Sequence, residues 1–476
     1  MSKPPTKTGV GQLTLTLRFP DPRDRKDETR ETEGNRSAAS PTAPPPASKP
    51  ERKLKWHSLY DKVFALSNLQ AAWKVVSANQ GAAGIDGMTI KQFSREADAR
   101  LLHLSEDLRR KTYRPQPVRR VEIAKSGGGK RPLGIPTIRD RIVHQALRQI
   151  LEPIFEGVFS SRSHGFRPER GCATALTVVD RAIRHGYTWV VDADIASFFD
   201  TVDHEKLLTA LNEEIADGSV LRLIRYLLKA GVSLPGVSEI EPTELGTPQG
   251  GPLSPLLANV YLHAFDEAVS QAGYGLVRYA DDFVIFTKSE NEAEAALALC
   301  REILEQRLGL VLHPEKTRVV SVDVGFEFLG FHYFRDPKSG ALCKEVRGKS
   351  VQRFRDAIRE RTPRLKTQRR VRPNHIRLDR LAKNRRLKAI IGRLNRFVRG
   401  WHWYFKGIRS RYKVPLGIFD SFLRQRVRAA IVGRVGSGWW NQRITNALLR
   451  DLGLLCPSDL QKLYTQGQLT APVRKD

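Results

Sequence analysis

The stretch Tyr279-Ala280-Asp281-Asp282 constrains the fold of this 476-residue chain more than any other feature. It places two adjacent carboxylates between the apolar runs 274–278 and 283–286, a pattern that predicts a β-hairpin with the acids at its tip. Two neighbouring carboxylates are difficult to bury without a counter-ion, because each raises the pKa of the other. A Mg²⁺ ion, which prefers oxygen ligands, would serve as that counter-ion. The alternative is a solvated Asp-Asp turn, which is common in hairpins.

A third acid follows a second predicted strand. Residues 187–191 are mostly β-branched and aromatic, and they run directly into Asp192-Ala193-Asp194. Because side chains alternate faces along a strand, Asp192 and Asp194 point the same way, and spacing alone does not select one as a ligand. A strand that ends in an acid beside a hairpin with two more acids predicts a two-metal site. Such a site binds nucleotide phosphates and a primer hydroxyl and stabilises an in-line displacement.

Several ordered motifs in this chain resemble those of a known family. Residues 191–200, 246–255 and 279–282 resemble the successive palm motifs of a reverse transcriptase. The forms of 130–136 and 165–168 resemble the bacterial and organellar group II intron type, and the resemblance covers about residues 55–430. It implies an α+β right-hand polymerase with fingers, an antiparallel-sheet palm and an α-helical basic thumb, which is called the maturase domain.

The resemblance also implies roles for individual residues. It favours Asp194 over Asp192 as a ligand and leaves Asp192 without an assigned role. The implied catalytic acids are Asp194, Asp281 and Asp282, which would bind two Mg²⁺ ions together with the backbone carbonyl of Ile195. The implied nucleotide-binding residues are Lys125, Arg131, Phe199, Gln249 and Lys316, and the implied primer grip is Phe328, Leu329 and Gly330.

The position of Phe199 carries, in this family, a ring that packs where a ribose 2′-hydroxyl would lie. A bulky apolar face offers a hydroxyl neither room nor a partner, so we expect deoxynucleotides to be preferred. The alternative is that Phe198 and Phe199 are both core residues.

Other motif residues also allow an ordinary structural interpretation. The glycines at 127–129 suit a fingertip that closes over a nucleotide, but they also suit a flexible turn. Gln249 lies either beside the nucleotide or in a punctuating loop before an apolar helix at 256–262. Lys316 is either near the leaving pyrophosphate or a solvated surface lysine. Residues 326–331 resemble a primer-gripping hairpin, and their alternating pattern is also that of an ordinary half-buried strand. Both interpretations can be true.

The net charge of +29 is concentrated in the C-terminal part of the chain. Residues 344–476 hold 34 Lys or Arg and 8 Asp or Glu, whereas the preceding residues are nearly neutral at +3. A helix predicted near 383–401 has apolar residues on one arc and basic residues opposite. We expect this module to bind RNA by shape and backbone charge, and most rings of 401–405 to pack in its core rather than stack on bases. The candidate RNA-binding residues are Arg385, Lys388, Arg393, Arg396 and Arg399.

Composition and resemblance together predict the domain organisation. The predicted segments are a disordered tail or linker at 1–50, an N-terminal extension at 51–110, fingers and palm at 111–340, the thumb or maturase domain at 341–435, and a short C-terminal appendix at 436–476. DNA binding is one option for the function of this appendix.

The cysteine pattern bears on further domains. The four cysteines lack paired spacing, which argues against a disulfide framework and against a zinc module. We therefore expect a form of the family that lacks the C-terminal endonuclease with His-Asn-His character. No apolar signal core or run of about 20 apolar residues occurs. We expect a cytoplasmic bacterial protein, with association with the nucleoid as a further option.

Three functions stay open at this point. The main prediction is an RNA-directed DNA polymerase that also binds intron RNA, assists its splicing and moves the intron by target-primed reverse transcription. Its expected partners are a group II intron or other structured RNA, an RNA template, a DNA primer, deoxynucleoside triphosphates and a DNA target. One alternative is the same enzyme recruited to DNA repair, CRISPR spacer acquisition or phage defence, and another is a protein that acts mainly as an RNA-binding splicing cofactor. The sequence does not identify the template, the oligomeric state or the organism.

Overall fold

The computed structural model describes residues 54–124, 130–233, 240–241, 243–247, 250–363, 378–409, 416–432 and 444–468. Its helices are α1 (Tyr60–Phe64), α2 (Leu66–Ala78), α3 (Ile90–Ser94), α4 (Ala97–Arg109), α5 (Ile138–Glu156), α6 (Cys172–Arg184), α7 (Phe198–Thr201), α8 (His204–Glu214), α9 (Gly218–Leu228), α10 (Ser254–Gln271), α11 (Glu290–Arg301), α12 (Gly348–Arg361), α13 (Leu378–Lys383), α14 (Arg385–Phe405), α15 (Gly417–Val432), α16 (Asn446–Asp451) and α17 (Pro457–Thr465). Its strands are β1 (Val118–Ala124), β2 (Lys130–Ile135), β3 (Trp189–Asp194), β4 (Val232–Ser233), β5 (Ile240–Glu241), β6 (Gly275–Tyr279), β7 (Asp282–Thr287), β8 (Arg318–Ser321), β9 (Phe326–Phe328), β10 (Phe331–Arg335) and β11 (Leu342–Val346). A π-helical segment, Glu302–Leu308, continues α11.

Side-chain caps determine where several helices begin. Asp203 caps α8 and Asp217 caps α9, each by accepting hydrogen bonds from two backbone N–H groups of the first turn. The Asp217 carboxylate also accepts from the backbone N–H groups of Leu59 and Tyr60, at 2.8 and 2.9 Å. One aspartate therefore begins α9 and also attaches the start of the described chain to it.

The central sheet has the strand order β6-β7-β3-β8, and every neighbouring pair in it is antiparallel. Side chains alternate between its two faces, as the period of a strand requires. On one face Val191 and Ile285 join the core formed with α5, α10 and α11. On the other face Val190 and Phe286 join a second core, formed with α6 and with β9 and β10. Burial on both faces explains why these strands are almost continuously apolar.

The described residues form two smaller sheets besides the central one. The first has the order β2-β1-β4-β5, in which β1 pairs antiparallel with β2 and parallel with β4. The second has the order β11-β10-β9 and is wholly antiparallel. The turn between β9 and β10 brings this second sheet beside the end of β3 and β7.

The C-terminal helical cluster consists of α12, α14, α15, α16 and α17, which share one apolar core. That core buries Leu394, Leu423, Leu449 and Leu460. The Asn395 side chain adds polar contacts, because its Nδ2 donates to the Gly453 carbonyl at 2.7 Å and its Oδ1 accepts from the Leu455 N–H at 3.0 Å. The segment 444–468 therefore packs directly on α14.

The structure confirms the predicted α+β fold and the hairpin on either side of Ala280-Asp281. The strand predicted at 187–191 begins later, at Trp189, and continues through Asp194, because Asp192 and Asp194 still pair with β7. The predicted basic helix is α14, with its apolar arc buried. The predicted tail at 1–50 lies outside the described residues, and the domain boundaries stay predictions. No helix within the described ranges is long and apolar enough to cross a membrane.

Candidate active site

The acids of the β6–β7 hairpin lie at one end of the central sheet. β6 ends at Tyr279 and β7 begins at Asp282, and these two residues pair with each other. Ala280 takes a positive φ of 59°, which is uncommon for a residue with a side chain. The Asp281 carbonyl accepts from the Ile195 N–H at 3.3 Å. The tight turn therefore presents Asp281 and Asp282 beside the end of β3.

Asp194 stands directly opposite Asp282, since the last residue of β3 pairs with the first residue of β7. The carboxylate of Asp194 forms a short ion pair with the ammonium group of Lys316. Its backbone carbonyl accepts from the His313 N–H at 2.8 Å, which places the loop before β8 against the site. The structure thus brings Lys316, one of the candidate nucleotide-binding residues, to the predicted acids.

The electrostatics of Asp282 reflect this crowding. Burial, and after it the nearby carboxylates of Asp192, Asp194 and Asp281, raise the pKa of Asp282 to about 8, while Arg347 acts in the opposite direction. A carboxyl group in such surroundings favours its protonated form unless positive charge is added. A hard divalent cation among these oxygens would supply that charge.

The donor set therefore fits a divalent cation, but the side chains are not arranged around one. Within the described ranges, no group of three or more His, Cys, Asp or Glu side chains is placed so that it could hold a metal ion. At this site one carboxylate oxygen of Asp194 is paired with the Lys316 ammonium group instead.

Asp192 has a different neighbour. Its Oδ2 accepts from the Arg318 guanidinium at 3.2 and 3.3 Å, and Arg318 lies opposite it on β8. Burial raises the pKa of Asp192 to about 6, although Arg318 acts against that shift. The two acids that the sequence could not separate by spacing thus have separate cationic partners.

Phe199 lies in the short helix α7, beside the strand end that carries Asp194. Phe198 is buried, whereas Phe199 is only partly buried and contacts the core from its edge. The Phe199 carbonyl accepts from the Thr247 N–H at 2.7 Å. At Gly246, with a φ of 87°, an added Cβ would lie 2.8 Å from the same carbonyl. The close approach brings the start of the 246–255 motif to Phe199.

The structure describes little of the three other nucleotide-binding candidates. Lys125 and Gln249 lie outside the described residues. Arg131 lies in β2, opposite Ile123 of β1, but its side chain is not described. Their assignment to a nucleotide site stays a prediction. The neighbouring Gly250 is described, and an added Cβ there would meet the Gly134 carbonyl of β2 at 2.5 Å.

The predicted primer grip forms a tight turn. Phe328 ends β9, and Leu329 and Gly330 both take positive φ values, of 45° and 85°. The Gly330 carbonyl accepts from the Arg347 N–H at 3.1 Å, and the Leu329 carbonyl accepts from the Tyr404 hydroxyl at 2.7 Å. This turn is thereby attached both to the start of α12 and to the end of α14.

A cavity of about 490 Å³ lies between this turn, Asp282 and the helices α12 and α14. Arg347 and Arg353 line it on one side and the rings of Trp401 and Tyr404 on the other. Nε of Arg347 and Nε1 of Trp401, in two of the lining residues, are buried and have no hydrogen-bond partner among the described atoms. Because two arginines line the cavity, it is suited to an anionic ligand such as a phosphate group.

Sequence reasoning missed Arg347 and Arg353 as site residues. They follow the primer-grip motif within a run of basic residues, and nothing in that run separates them from the surface charges around them. Predicting the contact of Arg347 with the Gly330 carbonyl requires the pairing of β10 with β11, which brings the chain back to the primer-grip turn.

The candidate RNA-binding residues share one exposed face of α14. Arg385, Lys388, Arg393, Arg396 and Arg399 are all exposed on α14. Their helix buries Leu387, Ile390, Leu394 and Val398 in the C-terminal helical cluster. Among the rings that follow, His402 and Phe405 are buried, Trp401 and Trp403 are partly buried, and Tyr404 is 39% exposed. Packing thus accounts for most of these rings, as predicted.

Comparison with known proteins identifies the fold and its chemistry. Residues 123–333 match the family model described as reverse transcriptase (RNA-dependent DNA polymerase). Protein YkfC of Escherichia coli (strain K12) is 34% identical over 307 residues, which cover 56% of this chain and 80% of that protein. Group II intron-encoded protein LtrA of Lactococcus lactis subsp. cremoris is 45% identical over 203 residues, which cover 42% of this chain and 33% of that protein. The chain belongs to the group II intron-type reverse transcriptase/maturase family.

Other members of the family match shorter segments. Nuclear intron maturase 1, mitochondrial, of Arabidopsis thaliana is 42% identical over 94 residues, which cover 20% of this chain and 13% of that protein. The chain thus covers most of YkfC but only a third of LtrA and less of the plant maturase. As a reverse transcriptase it is an RNA-directed DNA polymerase, a class that acts on RNA and DNA and uses divalent metal ions.

Proposed function

We propose that this chain copies RNA into cDNA with two Mg²⁺ ions, and that the 3′ end of the DNA primer enters the cavity beside Asp282. The observation that carries the proposal is the position of that cavity. It joins an acid of the hairpin turn to the primer-grip turn Leu329-Gly330 and is lined by Arg347 and Arg353.

The metal ions would be held by Asp194, Asp281 and Asp282 together with the Ile195 carbonyl. When bound, Mg²⁺ neutralises phosphate charge and promotes ionisation of the primer hydroxyl. The chain's own contribution is to keep three carboxylates at one end of a rigid sheet, where Asp194 and Asp282 are paired across β3 and β7. Lys316, released from Asp194, would then stand beside the triphosphate as a positive charge.

Primer and nucleotide would be positioned by different parts of the site. The Arg347 and Arg353 guanidiniums suit phosphates of the primer strand, because the fork of Arg donors matches phosphate oxygens. The partly exposed ring of Phe199 would lie against the sugar of the incoming nucleotide and disfavour a 2′-hydroxyl. Lys125, Arg131 and Gln249 are proposed to contact the same nucleotide.

We further propose that the exposed basic face of α14 binds structured intron RNA, assists its splicing and supports intron mobility at a DNA target. Five cationic side chains on one exposed helix face suit a polyanion recognised by backbone charge. Because the face and the acids are made of different residues, RNA binding and polymerisation could be lost independently. Location in the bacterial cytoplasm and DNA binding by 436–476 remain part of the same proposal.

The polymerase proposal is tested with the purified chain, poly(rA) annealed to oligo(dT), dTTP and Mg²⁺. We expect cDNA synthesis that stops when EDTA is added and resumes when Mg²⁺ is restored. If a reference reverse transcriptase is active in parallel and this chain makes no product, the proposal is wrong.

The splicing role is tested with the Asp281→Asn variant and a group II intron precursor RNA. Retained splicing with no cDNA synthesis is the expected result, because the acid is distant in sequence and role from α14. Loss of splicing together with polymerisation would count against an independent maturase role.

A further inference from the structure

Arg278 is the residue before the Tyr279-Ala280-Asp281-Asp282 motif, and its side chain is completely buried. A charged side chain is almost never placed in the interior unless it is paired. Arg278 lies on β6, where its neighbours Leu276, Val277 and Phe283 are buried apolar residues. A guanidinium at this place in the central sheet therefore calls for an explanation.

The guanidinium of Arg278 has two sets of hydrogen-bond partners, the carboxylate of Asp266 and the oxygens of Ala280 and Asn259. Its Nε and Nη2 form a bidentate ion pair with the carboxylate of Asp266 on α10, with Nε 2.6 Å from Oδ1, and Asp266 is 1% exposed. Its Nη1 donates to the Ala280 carbonyl at 3.0 Å and to Asn259 Oδ1 at 3.1 Å. The ion pair neutralises the charge, while Nη1 contacts the backbone of the catalytic turn itself.

The backbone of Arg278 is held from the other side by residues 162–165. Its N–H donates to the Arg162 carbonyl at 3.0 Å, and its carbonyl accepts from the His164 N–H at 2.9 Å. Gly165 then lies against the turn, since an added Cβ there would be 2.5 Å from the Ala280 nitrogen. Asn259 closes the arrangement, because its Nδ2 donates to the Gly165 carbonyl at 2.9 Å.

The contact at Ala280 matters because of the conformation of that residue. Its φ of 59° is a left-handed value that a residue with a Cβ adopts at a cost and only where its surroundings require it. The direction of the Ala280 carbonyl is set by the same peptide that leads into Asp281. A donor on that carbonyl therefore determines how the two following carboxylates are directed.

We propose that Arg278 is a positioning residue of the polymerase, which, together with Asn259 and Gly165, holds the Ala280 peptide so that Asp281 and Asp282 are presented for catalysis. We call these three residues the turn cradle. The inference rests on the proposed polymerase function of the same site. It adds a role for a buried guanidinium that does not touch substrate or metal.

Stability alone gives a weaker explanation of this arginine. A buried ion pair often contributes no more to folding than apolar residues of the same volume, because both charges must be desolvated. A lysine would also neutralise Asp266. What a lysine lacks is a planar fork that can hold a carboxylate and still donate from a third nitrogen to the Ala280 carbonyl. Substitution by lysine therefore separates charge neutralisation from positioning.

The test compares wild type with Arg278→Lys on poly(rA)/oligo(dT) with dTTP and Mg²⁺, at a temperature at which both are folded. We expect kcat to fall by about 100-fold, the loss typical of a misplacement of about 1 Å among reacting groups. The KM for dTTP and the Kd for primer–template, measured by fluorescence anisotropy, should stay unchanged. The Mg²⁺ concentration that gives half-maximal rate should rise, since misdirected carboxylates bind the ion less well.

A matched control is Arg428→Lys in the C-terminal helical cluster. Arg428 also donates to a backbone carbonyl and to an asparagine, namely Ile444 O and Asn446 Oδ1, both at 2.7 Å. Its replacement should lower Tm without lowering kcat. If the control loses as much kcat as Arg278→Lys, or if Arg278→Lys keeps the wild-type kcat, the positioning role is wrong.

Asn259→Ala provides a second variant should Arg278→Lys fail to fold. It leaves the Arg278–Asp266 pair in place and removes the link between Nη1 and Gly165, together with a long hydrogen bond of 3.4 Å that the Ser163 hydroxyl donates to Asn259 Oδ1. We expect a smaller fall in kcat with unchanged primer–template affinity, and an unchanged kcat would overturn the proposal. If the wild-type chain itself makes no cDNA, the proposed function fails and this inference fails with it. If the wild type is active and the Arg278→Lys and Asn259→Ala variants keep its kcat, the turn-cradle proposal is wrong while the proposed polymerase function stands.

Discussion

The central sheet and the C-terminal helical cluster use charge in opposite ways. Beside the Ala280-Asp281 turn, Arg278 and Asp266 form a buried pair, with side chains 0% and 1% exposed, and burial together with nearby carboxylates raises the pKa of Asp282 to about 8. On α14 the basic side chains are exposed and the apolar ones are buried. Chemistry requires charges at fixed positions, which burial and pairing provide. RNA binding through phosphates requires accessible charges, which need no fixed partner in the protein.

The largest effect that would sharpen this comparison is expected for Asp281→Asn. Loss of a metal ligand should lower the rate of cDNA synthesis by several orders of magnitude, because the substituted site no longer neutralises the reacting phosphates. RNA affinity, measured by filter binding, should be unchanged since α14 is untouched. A variant that loses RNA affinity in parallel would break the proposed separation between the two regions.

The next effect concerns the basic face. Replacing Arg385, Lys388, Arg393, Arg396 and Arg399 together by Gln should weaken binding of structured RNA. It should also flatten the slope of log K against log salt by about 0.7 to 0.9 for each RNA phosphate that the variant leaves without a cationic partner. Polymerisation on a saturating homopolymer template should persist.

A double variant offers a controlled version of that experiment. Arg396→Gln with Arg399→Gln is compared with Arg109→Gln with Arg110→Gln at the C-terminal end of α4, where both arginines already pair with Glu106. Only the α14 pair should change the salt slope. Equal slopes in the two double variants would place RNA binding elsewhere than on α14.

Phe199→Val is expected to change substrate choice. Removing the ring should raise incorporation of ribonucleotides relative to deoxynucleotides by about 10- to 100-fold, the range over which filling or emptying a pocket discriminates substrates. The measurement is kcat/KM for UTP and dTTP on the same primer–template. Phe199→Tyr keeps the bulk of the ring and should keep the wild-type ratio, and an unchanged ratio in Phe199→Val would mean that the ring is a core residue only.

The smallest effect is expected for Asp192→Asn. Its carboxylate is engaged by Arg318, and the loss of one partly exposed ion pair of about 1 kcal/mol changes a rate by less than about tenfold. Asp194→Asn, two residues away, should behave like Asp281→Asn. If the two substitutions had equal effects, the assignment of Asp194 as the ligand would fail.

The elements around the acids could be predicted because local patterns specify them. Apolar runs on either side of Tyr279–Asp282 predicted β6 and β7, and the 3.6-residue spacing of Leu387, Ile390 and Leu394 predicted α14. The motif order predicted the family. The start of β3 was predicted two residues early, since the ends of strands depend on pairing with neighbours that a local pattern does not contain.

Other parts of the site could not be predicted in the same way. Arg278 is one more basic residue in the sequence, and its burial follows from the packing of α10 and 162–165 around β6. Packing of 444–468 on α14 likewise depends on contacts such as Asn395 with Gly453. The one local signal that could have indicated a special role for Arg278 is its position as a charged residue within a predicted strand that is otherwise apolar.

The sequence by itself determined the fold class and the family and predicted the three acids, because these depend on side-chain periodicity and on motifs that are continuous in the chain. Only the tertiary structure decided that Lys316 pairs with Asp194, that Arg347 lines the cavity beside Asp282 and that Arg278 donates to the Ala280 carbonyl. Each of those contacts joins groups whose distance and direction are set by the packing of whole elements. The local sequence alone therefore does not predict which charged groups pair with each other in the folded interior.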